Sequence, residues 1–451
     1  MSIFQIGLSG LQSTQSALEV TSNNIANSAT SGYKAGSTEF AAVYNGGQRG
    51  GVKVSDIKED FATSGDLVRT DNALDLAIVG NGFFVMNNGG QESYTQAGQF
   101  GLNNDLEIVN AAGANLRGYG VDANGNIVPG VMTDLRIEGQ NIAAKATEDI
   151  DFAANFSSAS DVIPYPTAPE NFDPTDGSSY NFSQSTEVFD SLGNSHVLTQ
   201  YFNHTGSNEW QTMYFVDGQP LTAGVTAPAG ATVGTQTVNV EGVDYAAAVV
   251  TMSFDTDGQM GPLGTPTIPA GGVADDNVTD PYDQRKVGLT IAPLDSDGNP
   301  SGAGDIQLTL DMTRSTQYGS GFSMYTNDAD GYTSGEYTGV TVDDDGNLFA
   351  TFSNGESKLQ GQLVMATFAN VNGLEQVNDT MWVSTATSGT PLYATAASDT
   401  VGQLLSGQYM NSNVDISEQL VDLISFQQNY QANAKTISTA DEMMQVLFNA
   451  V

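Results

Sequence analysis

The two termini of this 451-residue chain share one apolar spacing, and nothing between them repeats it. Phe4, Leu8, Leu11, Leu18 and Ile25 follow a 4,3 repeat, with polar Gln15 and Ser22 at the intervening points. Ile416, Leu420, Leu423, Tyr430, Ala434, Ile437, Met444 and Phe448 follow the same repeat, with Gln427 and Asp441 at the gaps. On a helix this spacing lines one face with apolar side chains, and such a seam needs a partner helix. Gly7 and Gly10 each weaken the first helix by about 1 kcal/mol relative to Ala, so alone in water it is expected to fray. From about Gly46 to Gly407 the chain is instead rich in Gly and Asp and patterned as short strands. The expected fold is mainly β with terminal α-helices: nested, discontinuous β domains carried on a coiled-coil-like pair of helical ends. Such a chain is suited to assembling with copies of itself.

The length predicts several domains rather than one core. No run approaches the length of a membrane-spanning helix. The first ten residues lack the basic and apolar blocks of a general secretory signal. With no cysteine, the chain has no disulfides, thiol catalysis or Cys-ligated metal. The net charge is −39, from 52 acidic residues against 13 Lys and Arg. Nearly all of that surplus lies between the two helical ends. A chain so acidic has little with which to neutralise phosphates, which argues against nucleic-acid binding. It reads as a solubilising surface, with an acidic ligand trap as the sharper alternative.

The domain order follows from composition. Residues 1–27 read as the N-terminal helix, and 28–71 as an irregular linker or extended arm with Gly32, Gly36 and a glycine cluster at 46–51. Strands begin near Leu74, so 72–150 form the first part of a core β domain. Most prolines then gather between Pro164 and Pro300, and 151–330 read as an inserted outer β domain, with 222–280 of no assignable role. The earlier patterning returns in 331–407, with an Asn354-Gly355 hairpin turn. Residues 408–451 read as the C-terminal helix, its 411–451 stretch free of Gly and Pro and capped by Asp415 with Glu418 three residues on.

No catalytic constellation is evident, and the chain reads as a non-enzyme without cofactor or metal. Gly80-Asn81-Gly82 has two of the three glycines of a dinucleotide loop, but a strand follows it, so it reads as a tight turn. His196 and His204 lie eight apart on one apparent strand with no third ligand at metal spacing. The acidic turns beginning at Asp255, Asp295, Asp328 and Asp343 fail the frame of a calcium loop and suit hairpin turns, with weak divalent binding the alternative.

Ser22-Asn23-Asn24-Ile25-Ala26-Asn27, with Thr30 and Gly32-Tyr33-Lys34, resembles the N-terminal signature of the bacterial flagellar rod and hook protein family. Tyr430 to Lys435, including Asn433 and Lys435, with Thr439 to Met443, resembles the matching C-terminal signature. Val188 to His196, with Trp210 beyond, resembles the outer domain found in the hook members, which rod members lack. The resemblance implies a structural subunit that polymerises into a curved helical tube, a universal joint carrying torque from rod to filament. It implies partners too: many copies of itself, the distal rod, hook cap and hook–filament junction proteins, and the flagellar type III export apparatus. It implies an extracellular location, in the hook of the flagellum. Phe40 to Tyr44 resembles the export-gate recognition segment, and reads equally as an aromatic anchor in the linker. A distal rod or junction protein is the alternative within the family. A secreted enzyme or a calcium-stabilised adhesin is the alternative outside it.

Overall fold

A computed structural model describes residues 3–45, 48–122, 125–139, 141–163, 172–227, 233–263, 285–294, 300–378, 380–396, 398 and 400–449. The chain opens with helix α1 (Ile3–Ala26) and ends with helix α2 (Ile416–Asn449). Where the sequence suggests an irregular arm, a long antiparallel hairpin forms from β1 (Gly36–Asn45) and β2 (Gln48–Glu59). Its register shifts at Glu39/Phe40 and Ala42/Tyr44 break the strict two-residue alternation that would announce a strand. The 408–415 stretch is not helical either: Gln408–Met410 pairs with Leu67–Arg69, and Asp415 then caps α2. Its carboxylate accepts the N–H groups of Ser417 at 2.8 Å and Glu418 at 3.3 Å.

The chain divides into two compact units, the first built from Met1–Gln140, Tyr337–Phe352 and Ser357–Val451. Its β body is organised by strand Ser357–Thr367, which pairs antiparallel with Asn347–Phe352, Asn115–Val121, Phe83–Asn88 and Leu392–Thr395. Leu363 to Ala366 and Phe83 to Met86 are buried on both faces, which explains their unbroken apolar runs. Phe83, Val85, Tyr94 and Trp382 form the core there, with Phe61 set edge-on against Phe83 at 5.5 Å and Trp382 at 5.3 Å.

The second unit comprises Asn141–Glu336 with Ser353–Glu356, so it begins before and ends after the 151–330 stretch. Two six-stranded sheets face each other across a core that includes Phe152, Phe156, Phe202, Trp210 and Tyr214. One sheet centres on Asp149–Ser157, the other on Ser195–Gly206 and Glu209–Val216. Both histidines sit in this second sheet. His196 Nδ1 lies 2.7 Å from an Asp217 carboxylate oxygen, and the His204 ring stacks on Trp210 at 4.8 Å. The acidic turns at Asp255 and Asp343 are hairpin turns, in which the first carboxylate accepts two backbone N–H groups and a glycine follows at positive φ. The turn beginning at Asp295 lies outside the described residues, as do 228–232 and 264–280 of the 222–280 stretch. Among the described residues no group of three His, Asp or Glu is placed to hold a metal ion.

Candidate assembly interface

The two helices lie side by side and antiparallel. A Cβ built on Gly7 would fall 2.9 Å from Ile437 Cγ1, one on Gly10 would fall 2.7 Å from the Asn433 amide, and Asn24 reaches Gln419. The buried residues of α1 are Ser13, which turns to Val52 of the hairpin, and a stripe of Gly7, Gly10, Thr14, Ala17, Thr21 and Asn24. The stripe keeps the 3,4 repeat of a helix seam but is made of small residues, which let the neighbouring backbone come close. It sits one residue N-terminal of the large apolar series, about 100° round the helix.

The large apolar residues therefore have other surroundings. Phe4 and Leu8 are exposed at 48% and 42%, whereas Leu11, Leu18 and Ile25 are half-buried. On α2, Leu423, Tyr430, Ala434 and Ile437 are half-buried, whereas Ile416, Leu420 and Met444 are exposed. Ile6, Val421, Ile424, Met443 and Val446 add to the uncovered apolar surface. The Phe448 side chain lies outside the described residues. The contacting face of the helix pair thus uses only part of the apolar residues, leaving the rest outward.

Of the signature residues, Asn24 and Asn433 belong to the seam, whereas Asn27, Gly32 and Lys34 fix the turn that follows α1. Asn24 is 1% exposed and satisfies its whole amide. Its Nδ2 donates to the Gly36 carbonyl and to Gln419 Oε1, both at 2.8 Å. Its Oδ1 accepts from Gly36 N at 2.9 Å and from the Tyr33 hydroxyl at 3.2 Å. Asn27 closes the end of α1, with its Nδ2 donating to the Asn23 carbonyl and its Oδ1 accepting from Thr30. Gly32, at φ +70, donates to the Met410 carbonyl. Lys34 is buried and donates to the Thr63 carbonyl at 3.2 Å; burial lowers its pKa, against the opposing pull of Asp60. Asn23, Ala26 and Lys435 are exposed, and Asn433 lies against Gly10.

The hairpin packs along α1, with Val52 N donating to Ser9 Oγ and Ser13 Oγ donating to the Val52 carbonyl. Together α1, the hairpin and α2 flank a groove of about 490 Å³ lined by Ile6, Phe40, Val52 and Phe426 among others. Phe40 is exposed on β1, and Tyr44 pairs through its backbone with Arg49 while its side chain lies outside the described residues. Spacing arguments based on large apolar residues overlooked the small-residue stripe. The 3,4 recurrence of Gly, Thr, Ala and Asn is the signal that could have found it. No helix among the described residues is long and apolar enough to cross a membrane.

Four family models match the chain. They are the flagella basal body rod protein model at residues 4–34, the flagellar hook protein FlgE/F/G D1 domain at 77–149, the flagellar basal body protein FlaE D2 domain at 155–332, and the flagellar basal body rod FlgEFG protein C-terminal model at 406–450. Flagellar hook protein FlgE of Escherichia coli is 33% identical over 99% of both chains. Its counterpart in Salmonella typhimurium is 32% identical over 99% of both, and that of Treponema pallidum 32% identical over 98% of both. A crystal structure of Helicobacter pylori flagellar hook protein FlgE2 covers 75% of this chain and 98% of its own, with 11% identity and a TM-score of 0.49. With relatives a third identical from end to end, and family models covering its terminal helices and β body, this chain belongs to the flagellar hook protein family and is a hook subunit.

Proposed function

We propose that copies of this chain polymerise through α1 and α2 into a curved helical tube that transmits torque from the rod to the filament. The observation that carries this is the uncovered apolar surface on both helices: Phe4, Ile6 and Leu8 on α1, and Ile416, Leu420, Val421 and Ile424 on α2. Covering the exposed part of one such side chain is worth about 1 kcal/mol, so a few per subunit suffice to drive association. Contacts repeated between copies without closing a ring generate an open filament. The role is mechanical and calls for no chemistry at a reactive centre. Residues Phe4, Leu8, Leu11, Leu18, Ile25, Ile416, Leu420, Leu423, Tyr430, Ala434, Ile437, Met444 and Phe448 form the assembly interface in this reading, with Phe40 and Tyr44 as the export-gate segment. Its partners are then further copies of itself, the rod, cap and junction proteins at its ends, and the export apparatus that delivers it outside the cell.

The test is polymerisation of purified chain on hook seeds, followed by sedimentation. Leu420→Asp with Ile424→Asp should leave a folded monomer and abolish the pelleted fraction. Pelleting equal to that of the natural chain would refute helix-driven assembly. Cells lacking the chain should show rods without hooks by electron microscopy; loss of the rods themselves would place the protein elsewhere.

A further inference from the structure

We propose that Asn24 and Asn413 form a polar key that sets the register of α1 against α2, and that this register keeps the last turns of α2 uncovered for a second copy of the chain. The inference deepens the hook-subunit reading and rests on it. Gly7 opposes Ile437, Gly10 opposes Asn433 and Asn24 opposes Gln419, so the two helices stay in step over about 26 Å. Where α1 runs out at Ile3, the facing position on α2 is close to Ala440. Ala440 is accordingly the last buried residue of α2 among those whose side chains are described, and 441–446 are all exposed, Met443, Met444 and Val446 among them.

Apolar packing alone does not hold this register. The α1 stripe repeats every three and four residues, so a seven-residue slide of α2 restores a matching pattern of faces. It also sets Met444 against Gly7 and covers the methionines, a gain in apolar burial. What the slide strains is the pairing of Gln408–Met410 with Leu67–Arg69 just ahead of α2, and what it breaks outright is polar. Asn24 would lose Gln419 and face Phe426, which has no acceptor for a buried amide N–H. Asn413, just ahead of α2, would lose its three backbone partners: Ala35 N at 2.7 Å, the Asp60 carbonyl at 2.8 Å and the Thr63 carbonyl at 3.1 Å. A buried polar group that specifies register at some cost in stability is an established device of paired helices.

The chain has no native cysteine, so engineered pairs read register cleanly. Gly7→Cys with Ile437→Cys reports the observed register, and Gly7→Cys with Met444→Cys, carrying Ile437→Ala to clear the clash with a Cβ at residue 7, reports the slide. In the natural background the first pair should oxidise at least tenfold faster under polymerising conditions. Two key variants are compared: Asn24→Leu with Asn413→Ala, and the same with Gln419→Leu, which removes the stranded amide partner and keeps the helices paired. In the second, with the pairing of Gln408–Met410 left intact, the excess of the 7/437 link over the 7/444 link should fall at least tenfold. A ratio of the two links unchanged from the natural background in both variants would overturn the proposal. So would loss of both links in both variants, since the residues would then serve pairing itself and not register. For the reserved surface, maleimide labelling of Met444→Cys should be at least tenfold slower in polymer than in monomer, and equal rates would remove that part. Failure of the natural chain to polymerise at all would refute the hook reading instead, so the two failures are distinguishable.

Discussion

At the residue scale, Gly7 shows how one position can be poor for a helix and necessary for a helix pair. Replacing a mid-helix glycine by leucine raises intrinsic helix stability by up to about 1 kcal/mol. At Gly7, however, any Cβ would meet Ile437 Cγ1 at 2.9 Å, closer than real contacts allow. Gly7→Leu should therefore raise the helical circular-dichroism signal of the isolated tail while lowering the polymer yield. A rise in both would show that the close approach is dispensable. Asp330 illustrates a charge effect in the second unit. Burial opposes its ionisation, but the N–H groups of Asp149 at 2.9 Å and Glu148 at 2.8 Å, with the Lys145 ammonium at 2.6 Å, outweigh it and hold its pKa below the ordinary carboxylate value. A carboxylate lowered in the folded state stabilises it above the unfolded pKa and loses that contribution as pH falls through the folded value. Asp330→Asn should thus lower Tm at neutral pH, with the deficit shrinking below about pH 4. A deficit that stays constant down to pH 2 would contradict this account.

At the element scale, Glu59 ties the end of β2 to the β body. The Trp382 indole N–H donates to Glu59 Oε2 at 2.6 Å, and burial pushes the Glu59 pKa up against that hydrogen bond. Glu59→Ala leaves the indole N–H without its acceptor, which costs about 1–3 kcal/mol. Urea unfolding followed by Trp382 fluorescence should show the lower midpoint, and an unchanged midpoint would show that Phe61 alone anchors the hairpin. This hairpin is also where sequence reading gave least. Its glycines and two register shifts hide alternation, and its pairing partners are set by geometry that no local pattern encodes. By contrast, α2 was legible from its cap to its last turns, because Asp415 and a long stretch without Gly or Pro act locally. The strands at Phe83–Asn88 and Ser357–Thr367 were legible as apolar runs, though nothing in either run reveals that Phe84 pairs with Met365. The helix seam lay between these cases. Its repeat was visible, but its contacting face follows residue size, and size becomes decisive only when a second backbone is close.

At the scale of the whole molecule, two terms of different range compete during assembly. Burial of apolar residues on the terminal helices is short-ranged and nearly indifferent to moderate salt. Repulsion between subunits of net charge −39 is long-ranged, and nearly all of that charge sits outside the helices that make the contacts. Its reach is set by the Debye length, roughly 30 Å at 0.01 M salt and 3 Å at 1 M. Neighbouring β bodies therefore repel across tens of ångströms in dilute salt and hardly at all in concentrated salt, while the helical attraction stays the same. Polymer yield on seeds should accordingly rise steeply with salt, and the critical concentration should fall. The same titration on a variant with Asp255, Asp257, Asp343, Asp344 and Asp345 changed to Asn should start from a higher yield and show a shallower slope. These carboxylates sit on exposed turns, apart from Asp343, whose two backbone hydrogen bonds an Asn side-chain oxygen can also accept. A slope identical to that of the natural chain would mean that the acidic surface solubilises the subunit without opposing its assembly.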